Sequence, residues 1–290
     1  MKSLGVVTLL VTTAVVIGCS DSDTTTQDIS SNNIEIIKGK LVDINETNQD
    51  KVLSSSLNIF KLDEALMRFS EESDNEVYSN RLLRLTLSKR VESHECDSGD
   101  VIIDDYGNGL DKDLDIKFEN CKNNDVTIDG LIHYNKIINS KNFDAEVTNL
   151  KVTKGNKEIF YKSATLKVTT QEIKEVLSGY SKDGNRSLTF KDLKIDVIKL
   201  LNQTKYRVDG SLSSSCINNL WFDINTTKDI EKNSTIDCPT AGVVEIDGNS
   251  SKLTAKYNSD ESIDIFLDGN LTKSYSSCDD MESDLEGECK

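Results

Sequence analysis

The chain has 290 residues, 36% hydrophobic and 29% charged, with 50 acidic against 34 basic residues and a formal charge of -16. That length fits one large domain or two small ones, and the apolar share suffices for a modest core. So negative a charge argues against sequence-independent nucleic-acid binding, which needs Lys and Arg to displace phosphate counterions. Two histidines, His94 and His133, leave little room for His-based catalysis.

The first stretch is an export signal by its own pattern. Met1-Lys2 supplies positive charge, and Leu4 to Ile17 is an apolar run broken only by Thr. It falls short of the ~20 residues a membrane-spanning helix needs and suits a signal-peptide core. The run ends in Val16-Ile17-Gly18-Cys19, which resembles the lipobox of bacterial lipoproteins. An ordinary cleaved signal or a buried segment are the competing readings. The resemblance implies cleavage between Gly18 and Cys19, a diacylated Cys19 thiol and an acylated new amino group. Three chains at ~0.8 kcal/mol per buried methylene hold far more firmly than one. Ser20, where an Asp would imply retention in the inner membrane, points by the family rule to the outer membrane of a Gram-negative cell. The expected organisation is a signal at 1–18, a lipidated Cys19 with a polar tether through 33, and one domain over 34–290. The tether is Ser, Asp, Thr, Gln and Asn with almost nothing to bury.

Ser56 to Glu72 predicts a helix, because Ile59, Leu62, Ala65, Leu66 and Phe69 recur at steps of three and four. A second, shorter helix is expected over Gln171 to Leu177. Elsewhere the periodicity is two. Ala164, Leu166 and Val168 alternate with polar residues, as do Leu193, Ile195 and Val197, then Leu220, Phe222 and Ile224. Leu253, Ala255 and Tyr257 continue the pattern, followed by Ile263, Ile265 and Leu267. Turn formers separate these runs. The expected fold is therefore mainly β: a large antiparallel meander sheet, curved or barrel-like, with one short N-terminal helix. An aliphatic-Asp-Gly motif recurs at Ile128-Asp129-Gly130, Val208-Asp209-Gly210, Ile246-Asp247-Gly248 and Leu267-Asp268-Gly269, and marks bulges or hairpins. Trp221, the single tryptophan, is expected on the core side of a strand.

Setting Cys19 aside leaves Cys96, Cys121, Cys216, Cys238, Cys278 and Cys289, an even number that suits disulfides in an exported chain. Gly107-Asn108-Gly109 lies midway between the first two, and Thr226-Thr227-Lys228 midway between the next two. Hairpins there would pair 96 with 121 and 216 with 238, leaving 278 with 289 as a short loop that adds local order only. No Cys-x-x-Cys spacing supports a metal, and none is expected. Phe118-Glu119-Asn120-Cys121 before Ile128-Asp129-Gly130, and Cys238-Pro239 leading to Ile246-Asp247-Gly248, resemble uncharacterised β-rich envelope lipoproteins of Gram-negative bacteria. That resemblance implies an envelope location and a β-rich fold, and no activity.

Candidate chemistry is sparse. Ser181 to Asp192 partly follows a calcium-loop pattern through Asp183 and Asn185, but Arg186 stands at the glycine position, and a hairpin explains the same residues. Asp104, Asp105, Asp111, Asp113 and Asp115 form an acidic run that a solvated hairpin also explains. The sequence holds no Gly-x-Ser-x-Gly elbow, no phosphate loop and no His-Glu-x-x-His, so no catalytic residue or cofactor is expected. Six of 25 asparagines, Asn45, Asn185, Asn225, Asn233, Asn249 and Asn270, have Asp or Glu two places before and Ser or Thr two places after. That window resembles the acceptor of bacterial oligosaccharyltransferases, and turn chemistry is its alternative reading. The function expected is a binding or structural module held to the membrane through acylated Cys19. A carrier with a lipid or other apolar ligand on a concave sheet is the alternative. A carboxylate-based hydrolase ranks last.

Overall fold

Alternation of apolar and polar residues builds thirteen strands: β1 (Ser98–Asp105), β2 (Asp111–Asn123), β3 (Val126–Ile137), β4 (Phe143–Lys154), β5 (Lys157–Val168), β6 (Glu172–Asp183) and β7 (Arg186–Lys199). They continue as β8 (Gln203–Ser214), β9 (Trp221–Asn233), β10 (Ala241–Asp247), β11 (Lys252–Tyr257), β12 (Ile263–Leu267) and β13 (Asn270–Tyr275). Every strand pairs antiparallel with its sequence neighbour, so sheet order equals chain order. The computed structural model describes residues 34–57, 96–108, 111–123, 125–137, 140, 142–233, 238–285 and 288–289. Within them the sheet is the large antiparallel meander that the alternation predicts, open rather than closed, with β1 and β13 at its edges.

One face carries the core. Ile116, Tyr134, Phe190, Leu193, Ile195, Leu212, Phe222, Ile224, Ile246 and Leu253 are almost fully buried. The inner strands contribute alternate residues, as the pleat requires, whereas the edge strand β1 buries none fully. Fully burying such a side chain is worth roughly 1.5–3 kcal/mol, so this face supplies the main drive to fold.

A line of register shifts crosses the long strands. It passes Phe118/Cys121 in β2, Asp129/Leu131 in β3, Leu177/Gly179 in β6, Lys191/Lys194 in β7 and Tyr206/Asp209 in β8. Bulges of this kind bend a strand and increase local twist. Two of the four Asp-Gly motifs sit on the line. Asp129 accepts the Asn120 N–H at 3.1 Å, and Asp209 accepts the Thr226 N–H at 3.0 Å. Their glycines allow the neighbouring strand to approach: a Cβ on Gly130 would lie 2.5 Å from the Asn149 carbonyl oxygen. The other two motifs, at Asp247 and Asp268, end strands at hairpins.

In a meander, alternate turns fall at alternate ends. The β6–β7, β8–β9, β10–β11 and β12–β13 turns therefore share one end, and the β9–β10 and β11–β12 turns share the other. The chain enters at the first end. Lys40 to Val42 form a strap beside the start of β9: Trp221 N–H donates to the Lys40 carbonyl at 2.9 Å, and Val42 N–H donates to the Trp221 carbonyl at 2.8 Å. On its other side the Val42 carbonyl accepts the Asn249 N–H at 2.7 Å. Trp221 is buried, yet it lies outside the main core cluster, against the strap, where Gly39 approaches its indole edge.

A helix, α1, covers 49–57, with Val52 and Leu53 buried. A last helix, α2 (Cys278–Leu285), buries Met281 and Leu285. The expected helix over Ser56–Glu72 lies almost wholly outside the described residues. The expected helix over Gln171–Leu177 is strand β6: Ile173, Glu175 and Leu177 alternate inward, and a buried glutamate at 4% exposure hid the pattern.

Candidate functional site

The cysteines come first because they define how the ends are tied. Cys96 and Cys121 face each other across β1 and β2, with Cα atoms 5.3 Å apart. The other pairs differ from expectation. Cys216, in a single helical turn between β8 and β9, bonds Cys289, and Cys238 bonds Cys278. The reason is local. Thr226 is no turn residue but a fully buried member of β9, with its hydroxyl donating to the Val208 carbonyl at 3.0 Å and accepting the Val208 N–H at 2.8 Å. β9 therefore runs straight through and carries Cys238 to the opposite end from Cys216. There it meets the start of α2, and the chain after α2 carries Cys289 to the strap end.

The strap end brings Asn249 together with a set of ion pairs and hydrogen bonds that the sequence did not single out. Lys38 donates to both oxygens of Asp223 at 2.6 and 2.7 Å, and Ser211 donates to the same carboxylate at 2.5 Å. Asn249 and Ser250 donate to Asp43 at 3.0 and 3.3 Å. Farther along, Lys273 of β13 sits between Asp50 of α1 at 2.9 Å and Asp284 of α2 at 2.8 Å. Burial disfavours that ammonium, but hydrogen bonds to Asp284 and Asp50 outweigh it and raise its pKa. Asp284 is held below its ordinary value by hydrogen bonds from Lys273 and Tyr275.

A second cluster surrounds His133 on β3. Its Nδ1 lies 2.7 Å from Asp115 and its Nε2 3.4 Å from Asp113, both on β2, while Glu146 is directly opposite on β4. The hydrogen bond to Asp115 raises the imidazole pKa against a smaller burial penalty, with the charges of Asp113 and Glu146 adding to the rise. This arrangement favours the protonated imidazole on a half-exposed surface. A third feature is internal: Glu175 is buried on the core face near Tyr161, whose phenol pKa is pushed up by burial and by that carboxylate.

The calcium-loop candidate is spread along a tight hairpin. Asp183 and Arg186 pair across the turn, Asp183 lies 3.5 Å from Lys157, and Asp192 sits far down β7, accepting from Ser178. The acidic run is also divided. Asp105 accepts the Gly107 N–H, Asp111 accepts the Asn108 N–H, and Asp113 and Asp115 face His133. Among the described residues no three His, Cys, Asp or Glu side chains are arranged to hold a metal.

Of the six asparagine windows, Asn45, Asn185, Asn225, Asn249 and Asn270 are exposed and Asn233 is partly so. Asn185 and Asn249 lie in turns at the strap end, Asn270 opens β13 there opposite Leu267, and Asn45 lies in the loop leading to α1. Cys19, Gly18 and His94 are outside the described residues. Sequence reasoning missed the strap, the Lys38–Asp223 pair and the Lys273–Asp50 contact, since the two pairs join residues 185 and 223 positions apart. No family model, curated protein or solved structure matches this chain.

Proposed function

We propose that the protein is a lipid-anchored envelope module whose acylated Cys19 holds a rigid β-sheet at the membrane, acting through its surface as a binding or structural element. The observation that carries this reading is the strap. The chain following the polar tether is bonded into the sheet at Trp221 and Asn249 and locked by the Lys38–Asp223 ion pair. A pull on the tether would thus reach the sheet directly. The core face also favours a structural or binding module over a carrier, because its large apolar side chains are buried in one hydrophobic cluster.

Membrane fractionation tests this in a cell that processes lipoproteins. Wild-type protein should partition into detergent and incorporate labelled palmitate. Cys19→Ser should do neither, because a hydroxyl does not replace the thiolate as the lipid acceptor. Equal labelling of both would refute the anchor.

A further inference from the structure

We propose that the hairpin-tip asparagines Asn185 and Asn270 are glycan acceptors in the folded protein, while the same sequence window around Asn225 is not. All six windows share the acidic residue two places before and the hydroxyl residue two places after, so sequence alone ranks them equally. Their surroundings differ.

Asn185 lies in the two-residue turn between Asp183 and Arg186, and Asn270 follows Asp268-Gly269 at the start of β13. Both residues are exposed, as are Asp268, Gly269 and Leu271 around the second. A tip of this kind can enter an enzyme cleft with few ladder hydrogen bonds to break. Asn225 is exposed too, yet its backbone is paired on both sides, with Asp209 of β8 and Glu245 of β10. The acids of all three windows are engaged, Asp223 by Lys38 and Ser211, Asp183 by Lys157 and Asp268 by the Lys252 N–H, but only beside Asn225 is the next residue, Thr226, fully buried and bonded to Val208. Presenting that window would require opening the centre of the sheet. Two other sites are already engaged: the Asn45 side-chain oxygen accepts the Thr47 N–H and hydroxyl ahead of α1, and the Asn249 amide nitrogen donates to Asp43 at 3.0 Å.

The donor class is an oligosaccharide linked to a polyprenyl diphosphate. The asparagine amide nitrogen bonds to the anomeric carbon, the carbon–oxygen bond to the diphosphate breaks, and polyprenyl diphosphate leaves. The amide loses one proton to solvent, and no electrons are exchanged with a further reactant.

The test incubates the full-length folded chain with a purified bacterial oligosaccharyltransferase and such a donor, followed by glycopeptide mass spectrometry. Asn185 and Asn270 should be occupied roughly tenfold or more above Asn225, because reaching Asn225 requires local unfolding. In reduced, denatured chain Asn225 should rise to match them. Asp183→Ala and Asp268→Ala should abolish modification at their own tips, while Asp183→Glu and Asp268→Glu keep it, which separates recognition of the acid from damage to the turn. Unmodified tips, equal occupancy of Asn225 in folded protein, an Asn225 that stays unmodified after unfolding, or indifference to the Asp→Ala changes would each overturn the proposal.

Discussion

Cys216, in the turn between β8 and β9, is bonded to Cys289 beyond α2, with Cα atoms 5.4 Å apart across 73 residues of sequence. The C-terminal segment is thereby tied to the same end of the sheet that receives the N-terminal strap. Closing a loop of that size is worth about 4 kcal/mol on the chain-entropy model, comparable with the two other bridges. The terminal cysteine is therefore a structural element of the whole fold and no mere local clasp. Cys289→Ser should lower the melting temperature as far as Cys216→Ser does, and the double variant should be no worse than either single one. Additive losses from the two single variants would contradict the pairing.

Gly130 adopts φ +130, and a Cβ there would meet the Asn149 carbonyl oxygen at 2.5 Å, whereas Gly155 adopts φ +59 with nothing within 4 Å. Both positions disfavour side chains, but only the first is also crowded by backbone. Gly130→Ala should cost about 2–4 kcal/mol and Gly155→Ala only about 1 kcal/mol. Urea unfolding of the two variants measures the difference. Equal costs would mean that the bulge line tolerates separation of β3 from β4.

Much of the sheet was legible because one buried face imposes a period of two. Leu253, Ala255 and Tyr257 in β11 and Ile263 and Ile265 in β12 sit where alternation puts them. Reading failed where a polar residue occupies the inner face. Glu175 made β6 look helical, and Thr226 made the middle of β9 look like a turn, although its hydroxyl is fully satisfied by Val208. Mistaking that strand for a hairpin then sent Cys216 to the wrong partner. The strap was illegible for a different reason: its hydrogen bonds to Trp221 depend on where β10 ends, which no local pattern encodes.

His133 carries the clearest pH dependence. Its pKa is raised in the folded protein above the ordinary 6.5, chiefly by Asp115. The stabilisation is therefore fully present below pH 6.5 and is lost as pH rises through the folded value. Asp115→Asn should bring the imidazole pKa down, as followed by its NMR chemical shifts. His133→Gln should flatten stability against pH across the same window. An unchanged titration in Asp115→Asn would remove the cluster as its cause.

Lys273 joins α1, β13 and α2 through Asp50 and Asp284. Lys273→Ala should destabilise the domain by about 1 kcal/mol, since the pairs are partly exposed and screened. The Asp284 pKa lies below its ordinary value of 3.8, so its stabilisation is present above that pH and fades as pH falls through the lowered value. Acid unfolding of Lys273→Ala should accordingly begin at higher pH than in wild type. Coincident acid transitions would show that the bridge contributes nothing.

The anchor is the central claim, and the mature N-terminus tests it most directly. Mass spectrometry of the N-terminal peptide from protein extracted from its native membrane should find a chain starting at Cys19, with diacylglycerol on sulfur and an acyl chain on the amino group. An uncut peptide spanning Gly18-Cys19, or a Cys19 with a free thiol, would contradict it.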